Sequence, residues 1–268
     1  MDLLRTEVNH LIDELDDGFY PETCKYLNLD EWQEASSYDF ATELVKCDKG
    51  KDKPRAVFDF IVELYKDAIE DGNADAMNDL GALYYDGYGC EQDFSKAVLY
   101  YEEAARNGSR QAAENLGYCY YYGRNVPVDY KKAFHYFALG AFDGHLISLY
   151  KIGDMYQKGY YVEQNPKEAF YIYMRCLDTM TEEAEKVVAG PVFLRLGFAF
   201  LNGNGVEEDP KRALYCLQRA ECFLFDMVQN GDVMYKKSLQ LAIKGQEEAR
   251  AKMNAALPKK QWLDGKSL

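Results

Sequence analysis

The sequence is poor in the residues that catalytic and metal sites need in sets. Its three histidines (His10, His135 and His145) are scattered, and no HExxH or Cys/His metal spacing occurs. The seven cysteines form no CxxC pair, and an odd number of cysteines suits free thiols in a reducing compartment. We therefore predict a protein that is not an enzyme, binds no metal or cofactor and is located in the cytoplasm.

Long apolar runs and clustered positive charge are also missing. No stretch approaches the roughly 18 apolar residues of a membrane span, and the N-terminus turns acidic before any apolar run of signal-peptide length. With 31 Lys and Arg against 45 Asp and Glu, the formal net charge is −14. Binding to nucleic acid or to an anionic membrane needs clustered basic residues. This charge favours a protein or peptide as the partner, and it suits a basic one.

An internal repeat is the main positive signal. A Leu-Gly or Ile-Gly pair recurs at spacings of 36, 36 and 44 residues, and a later glycine and a later Asp or Asn keep the same spacings. The three series are Leu80-Gly81, Leu116-Gly117, Ile152-Gly153 and Leu196-Gly197; Gly87, Gly123, Gly159 and Gly203; and Asp93, Asp129, Asn165 and Asp209. Three series in step are not a chance pattern, so the sequence predicts tandem structural repeats.

Each series has a physical role in a helical hairpin. Apolar residues around Leu80 stand at helical spacing, which places Gly81 inside a helix at a cost of about 1 kcal/mol relative to alanine. We expect close packing of the partner helix against this glycine to compensate for the cost. Gly87 is expected to end this helix as a left-handed cap, and Asp93 to cap the start of the next. Each repeat is therefore predicted to be a helix, a glycine loop, a capped helix and a turn.

The pattern Ala-x3-Leu-Gly-x2-Tyr-x2-Gly-x-Gly-x3-Asp-x2-Lys-Ala-x2-Tyr-x2-Ala-Ala-x2-Gly resembles the Sel1-like repeat (SLR), a relative of the tetratricopeptide repeat. Residues 76–108, 112–144, 148–178 and 192–220 match it, and the third copy carries Tyr161 in place of the second loop glycine. The resemblance implies an all-α fold, a right-handed α-solenoid of antiparallel helix pairs with a concave face. It also implies an adaptor or scaffold.

The chain divides into three predicted regions. Residues 1–52 form an N-terminal helical cap, residues 53–231 form the solenoid with one worn and four clear repeats, and residues 232–268 form a C-terminal capping helix and a polar tail. Eight extra residues in the third repeat fall between Asp178 and Pro191. We expect them to lengthen the second helix of that repeat.

Candidate partner-binding residues follow from analogy with the related repeat, in which positions −5, −2, +2 and +5 from the leucine of Leu-Gly face the groove. The resulting candidates are Asn78, Tyr85, Glu114, Tyr118, Tyr121, Tyr150, Asp154 and Phe198. Aromatic rings flanked by carboxylates suit a protein ligand with Lys or Arg anchors. The alternative is that these residues pack against neighbouring repeats.

The leading functional hypothesis is a protein–protein interaction scaffold that binds its partner on the concave face. A sharper alternative is an immunity or inhibitor protein that masks a basic toxin or enzyme surface. A homo-oligomer assembled through terminal helices is less favoured, and an enzyme least, because the sequence displays no coupled ionisable groups.

Overall fold

The computed structural model describes residues 36–46, 55–124, 126–142 and 144–256. Its regular elements are helices, and apart from one short 3₁₀ turn they are α-helices. In chain order they are α1 Ser37–Lys46, α2 Arg55–Glu70, α3 Ala74–Asp86, α4 Phe94–Arg106, α5 Arg110–Tyr122, α6 Tyr130–Phe142, α7 Leu146–Lys158, α8 Pro166–Asp178, α9 Glu182–Asn202, α10 Pro210–Gln229 and α11 Lys236–Ala256. The all-α prediction is confirmed. Most of the predicted N-terminal helical cap, including residues 1–35, lies outside the described residues.

Close packing inside each repeat explains the helical glycines. A Cβ atom built on Gly81 would lie 2.9 Å from two ring atoms of Tyr101, which is on the second helix of the same repeat. The other three repeats place a large side chain at the same offset of 20 residues from the glycine: Phe137 against Gly117, Tyr173 against Gly153, and Leu217 against Gly197. The predicted close approach is confirmed, and the cost of each glycine is offset by the ring or leucine that covers it.

The predicted caps are also present. Gly87 ends α3 with a φ of 68°, in the left-handed region. Asp93 accepts a hydrogen bond from the Lys96 amide at the start of α4, as Asp129, Asn165 and Asp209 do in the later repeats. Tyr161, the departure from the repeat pattern, has a φ of 65° and so adopts the conformation that glycine has at Gly89. The loop shape is therefore kept without the glycine.

The chain separates into two compact units, residues 1–116 and 117–268. In the first unit α1 packs on α2, α2 on α3, and α3 on α4. Ala41 and Phe58 join Leu80 in one apolar core. Helix α2 thus lies in the region predicted to hold the worn repeat, and α1 lies in the region predicted to be the N-terminal cap. The proposed boundaries at residues 52 and 231 stay predictions.

In the second unit the insertion between Asp178 and Pro191 lengthens a different helix from the one predicted. Helix α8 ends at Asp178, and Thr181 starts a new helix by accepting a hydrogen bond from the Ala184 amide. Helix α9 has 21 residues against 13 in α7, so the eight extra residues lengthen the first helix of the fourth repeat. The prediction of a longer second helix in the third repeat was wrong. The threonine cap is the physical reason, because it restarts the chain as a separate helix.

The extension of α9 packs against a matching extension of α10, which has 20 residues. The rings of Phe193 and Phe223 are stacked with centroids 6.1 Å apart, and the Arg219 guanidinium lies 4.9 Å from the Phe223 centroid. Leu224 is fully buried against Gly190. The insertion therefore enlarges the core of the second unit.

Helix α11 covers the last repeat, as the sequence predicts for residues beyond Gly231. Gly245 of α11 approaches both Phe198 and Leu217. The Lys252 ammonium donates a 2.6 Å hydrogen bond to the Leu201 carbonyl near the end of α9. The Gln246 side chain donates to Glu221 of α10. Helix α11 is thereby fixed on both helices of the fourth repeat.

Within the described ranges, no helix is long and apolar enough to cross a membrane. The cysteines described there are free thiols: Cys90, Cys119, Cys176, Cys216 and Cys222.

Burial is expected to separate these thiols by reactivity. It raises the pKa of Cys119 and Cys216 to about 11 and that of Cys176 to about 12, whereas Cys222 is exposed. Because the thiolate is the nucleophile, iodoacetamide at pH 8 should alkylate Cys222 before Cys119, Cys176 and Cys216 in the native protein. Peptide mass spectrometry over time measures this order. Early labelling of Cys119 or Cys176 in native protein would contradict the packing described here.

Candidate binding surface

The structure buries most of the residues that the sequence suggests for partner binding. Five of them are buried: Asn78, Glu114, Tyr121, Tyr150 and Asp154. Three are half-buried: Tyr85, Tyr118 and Phe198. The two compact units hold separate parts of this set, and each part is described in turn.

In the first unit the candidate residues link the first helices of successive repeats. The Asn78 amide donates a 3.0 Å hydrogen bond to Asp79 and accepts one of 2.9 Å from Asn115. The Tyr38 hydroxyl donates to Asp79 from α1. Burial raises the pKa of Asp79 above its ordinary value. The Tyr85 ring packs edge-on against Phe94, with centroids 5.0 Å apart.

In the second unit Asp154 forms a buried ion pair with Arg195 of α9. Both guanidinium-to-carboxylate contacts are 2.5 Å, which makes the pair bidentate. The Tyr173 hydroxyl donates a further hydrogen bond of 2.9 Å to the same carboxylate. Burial alone would raise the pKa of Asp154, but Arg195, Lys151 and the Tyr173 hydrogen bond together lower it below the ordinary value. This carboxylate therefore has its charge satisfied inside the fold.

Lys151, next to Tyr150 on α7, is surrounded by aromatic rings. Its side chain is 7% exposed, and its ammonium lies 4.9 to 5.6 Å from the ring centroids of four tyrosines: Tyr118, Tyr121, Tyr122 and Tyr150. It also donates a 3.1 Å hydrogen bond to the Tyr122 hydroxyl. These are the contacts of an aromatic cage around a cation. Here the chain supplies the cation itself.

The outer part of this cage is open to solvent. Tyr122 is 50% exposed, and its ring is stacked on that of Tyr118 with centroids 6.0 Å apart. Lys158 is exposed one helical turn beyond Asp154, and its ammonium lies 3.4 Å from the Tyr121 hydroxyl, to which it donates. We call Tyr118, Tyr122, Lys151 and Lys158 the tyrosine–lysine patch.

The analogy with the related repeat misses three residues of the patch: Tyr122, Lys151 and Lys158. They lie on a side of each helix that the analogy does not assign to the groove. Positions −1, +2 and +6 from the leucine of Leu-Gly form one helical stripe, which gives Lys151, Asp154 and Lys158 on α7. The same positions on α5 give Asn115, Tyr118 and Tyr122, and on α9 they begin with Arg195. The signal was the seven-residue spacing of the two lysines. In the fourth repeat this stripe is closed, because Phe198 lies against α11.

In the part of the chain with described placement, no group of three or more His, Cys, Asp or Glu side chains is arranged to hold a metal ion.

Comparison with known proteins gives the family. The Sel1 repeat profile matches residues 74–109, 110–145, 146–173 and 194–222. No curated protein sequence matches the chain significantly.

Solved structures support the same fold. A Sel1 repeat protein from Oxalobacter formigenes is 25% identical, with 75% of this chain and 77% of that one covered and a TM-score of 0.56. The protective antigen c5321 of uropathogenic Escherichia coli, which has an SLR fold, is 20% identical with a TM-score of 0.57. That match covers 82% of this chain but 46% of c5321. The immunity protein Pa5087 from Pseudomonas aeruginosa is 19% identical over 80% and 82% of the two chains, and its TM-score of 0.46 is too low to carry a conclusion. Four matched repeats, with the glycine contacts and caps described above, identify the chain as a member of the Sel1 repeat proteins.

Proposed function

We propose that the protein is a non-enzymatic interaction scaffold, and that the tyrosine–lysine patch binds a segment of a protein or peptide partner. Sel1 repeat proteins are generally protein-interaction scaffolds. The observation that carries the proposal is the exposure of Tyr122 in a rigid setting. Its ring is stacked on Tyr118 while its hydroxyl accepts a hydrogen bond from Lys151.

A fixed, half-exposed aromatic ring suits protein recognition. Tyrosine offers a large contact area together with a polar hydroxyl, and it is enriched among the residues that dominate binding energy. A ring that is already held by its neighbours loses little further freedom when a partner binds. Tyr122 meets both conditions, because Tyr118 supports its face and Lys151 its hydroxyl.

The buried candidates take a supporting role in this proposal. Tyr121 and Tyr150 pack behind the patch, and Asp154 is engaged by Arg195. Tyr118 is the candidate that keeps a direct role, joined by Tyr122. The net charge of −14 favours a protein partner over nucleic acid. The free thiols favour a reducing compartment, which we propose to be the cytoplasm.

Site-specific crosslinking tests the proposal. With p-benzoylphenylalanine at position 122, irradiation in the native host is expected to join the protein to a discrete partner, identified by mass spectrometry. The matched control carries the same residue at position 171, because Tyr171 is 60% exposed on α8. Adding Tyr118→Ala to the position-122 protein should lower the crosslinking yield about tenfold, since an aromatic anchor contributes roughly 1–2 kcal/mol.

Circular dichroism of these variants shows whether a loss of crosslinking comes from misfolding or from weaker binding. Equal crosslinking to the same partner from positions 122 and 171 would remove the patch from the proposal. Absence of any crosslinked protein from position 122 would count against the scaffold itself.

A further inference from the structure

Charge around the tyrosine–lysine patch points to the chemistry of its partner. We propose that the patch binds an acidic segment, in which one or more carboxylates meet the exposed Lys158 while an apolar side chain packs on Tyr118 and Tyr122, and the buried Lys151 adds positive charge behind the rings. This inference rests on the proposed function and names the class of its partner. It reverses the expectation of a basic partner that the net charge of the chain suggests.

The aromatic cage is already filled. The Lys151 ammonium lies within 5.6 Å of four tyrosine ring centroids and hydrogen-bonds to the Tyr122 hydroxyl. Cation–π attraction would otherwise make these rings a site for a partner's Lys or Arg. Three more cations of the chain lie against the same rings: Arg124 is 5.3 Å from the Tyr122 centroid, Lys158 5.9 Å from that of Tyr121 and Arg195 4.6 Å from that of Tyr150. A partner's cation would therefore meet repulsion from several positive charges at rings that are already occupied.

The local charge balance is positive. Asp154 is the carboxylate that the structure places in this cluster, and Arg195 pairs with it through two hydrogen bonds. That pair is close to neutral. Lys151 stays 4.0 Å from Asp154, and Lys158 contacts the Tyr121 hydroxyl and the Tyr160 ring. Among the described residues Lys158 makes no salt bridge, so its exposed ammonium is available to a partner's carboxylate.

The acidity of the whole chain makes this local feature testable. A net charge of −14 disfavours acidic ligands in general. At physiological ionic strength, charges more than about 8 Å apart are largely screened. An acidic peptide that binds in spite of the net charge must therefore contact a local positive site.

Selection from a phage-displayed library of random linear peptides at physiological ionic strength tests the proposal. The wild-type protein is compared with a Tyr118→Ala/Tyr122→Ala variant whose fold is checked by circular dichroism. Peptides enriched by the wild type and lost on the variant are expected to be rich in Asp and Glu.

Charge reversal sharpens the result. For the best such peptide, Lys158→Glu should weaken binding about fivefold or more, which corresponds to roughly 1 kcal/mol for an exposed ion pair. Lys167→Glu makes the same change of charge at an exposed position of α8 and should leave binding within about twofold.

The possible results distinguish a wrong partner class from a wrong binding site. Neutral or basic peptides that depend on Tyr118 and Tyr122 would overturn the acidic partner and leave the scaffold standing, as would acidic peptides that are indifferent to Lys158→Glu. If no enriched peptide depends on the two tyrosines, the result contradicts both the patch as a binding site and the acidic partner.

Discussion

Arg195→Ala is expected to lower the free energy of unfolding by about 3 kcal/mol, because removing the bidentate partner of a buried ion pair leaves its carboxylate with only a weaker counter-charge. Asp154 is buried in α7 and receives both guanidinium contacts from Arg195 of α9, on the next repeat. The variant keeps the Tyr173 hydrogen bond to Asp154 and the Lys151 ammonium 4.0 Å away, but it loses the bidentate guanidinium that is the main counter-charge. Chemical denaturation at pH 7 measures the difference.

The pH dependence of this loss identifies its origin. In the wild type the pKa of Asp154 is lowered below 3.8, so the ion pair stabilises the fold above that pH and loses its effect as the pH falls through the lowered folded value. In the variant only Lys151 and Tyr173 are left to oppose the effect of burial, so the pKa of Asp154 should be higher than in the wild type. The stability gap between the two proteins is therefore expected to narrow as the pH falls from the pKa of Asp154 in the variant to its lower pKa in the wild type.

A surface pair provides the control. Lys244 and Glu248 on α11 form an exposed ion pair at 3.8 Å, and Lys244→Ala should cost about 0.5 kcal/mol or less. Should Arg195→Ala prove as mild as Lys244→Ala, or should its effect not change with pH, the bidentate pair would not be the source of stability argued here.

Gly117→Val is expected to cost about 3 kcal/mol or more, at the upper end of the range for overpacking. A Cβ atom at this position would lie 2.5 Å from two ring atoms of Phe137. Phe137 is fully buried in α6, so its ring has no free space into which it could move. The two helices of the second repeat would have to separate. Thermal and chemical denaturation followed by circular dichroism measures the loss.

Two further variants show whether steric overlap is the cause. Ala251→Val places the same β-branched residue at an exposed site of α11, where only helix propensity opposes it, and should cost less than about 1 kcal/mol. In a Phe137→Ala background the added valine should cost much less than in the wild type, because the clashing ring is gone. Simple additivity of the two changes would rule out the ring contact as the reason for the glycine.

The repeat architecture could be predicted because each of its marker residues has a single strong conformational role. Gly81 in mid-helix marks a close approach, Gly87 a left-handed helix end and Asp93 a helix start, and each has that role in the structure. The insertion was placed in the wrong helix because no periodicity distinguishes a longer α8 from a longer α9. The deciding feature is one local hydrogen bond, from the Ala184 amide to Thr181.

The binding surface was less accessible to sequence reasoning. A rotation of one residue about the helix axis, some 100°, separates Tyr121, which is buried, from Tyr122, which is 50% exposed. Burial of Asp154 depends on Arg195, which lies 41 residues away and belongs to another repeat. Such a pairing depends on the stacking of repeats, for which the sequence of one repeat carries no signal.

The constant offset of 20 residues between each helical glycine and the side chain that covers it has a consequence for synthesis of the protein. This close contact joins residues near each other in sequence in every repeat, so each helix pair closes at a small loop-closure cost. A hairpin can thus form soon after its second helix leaves the ribosome, before the repeats that follow it exist. The chain is expected to fold as it emerges, one pair after another, with each completed pair offering the surface on which the next one docks.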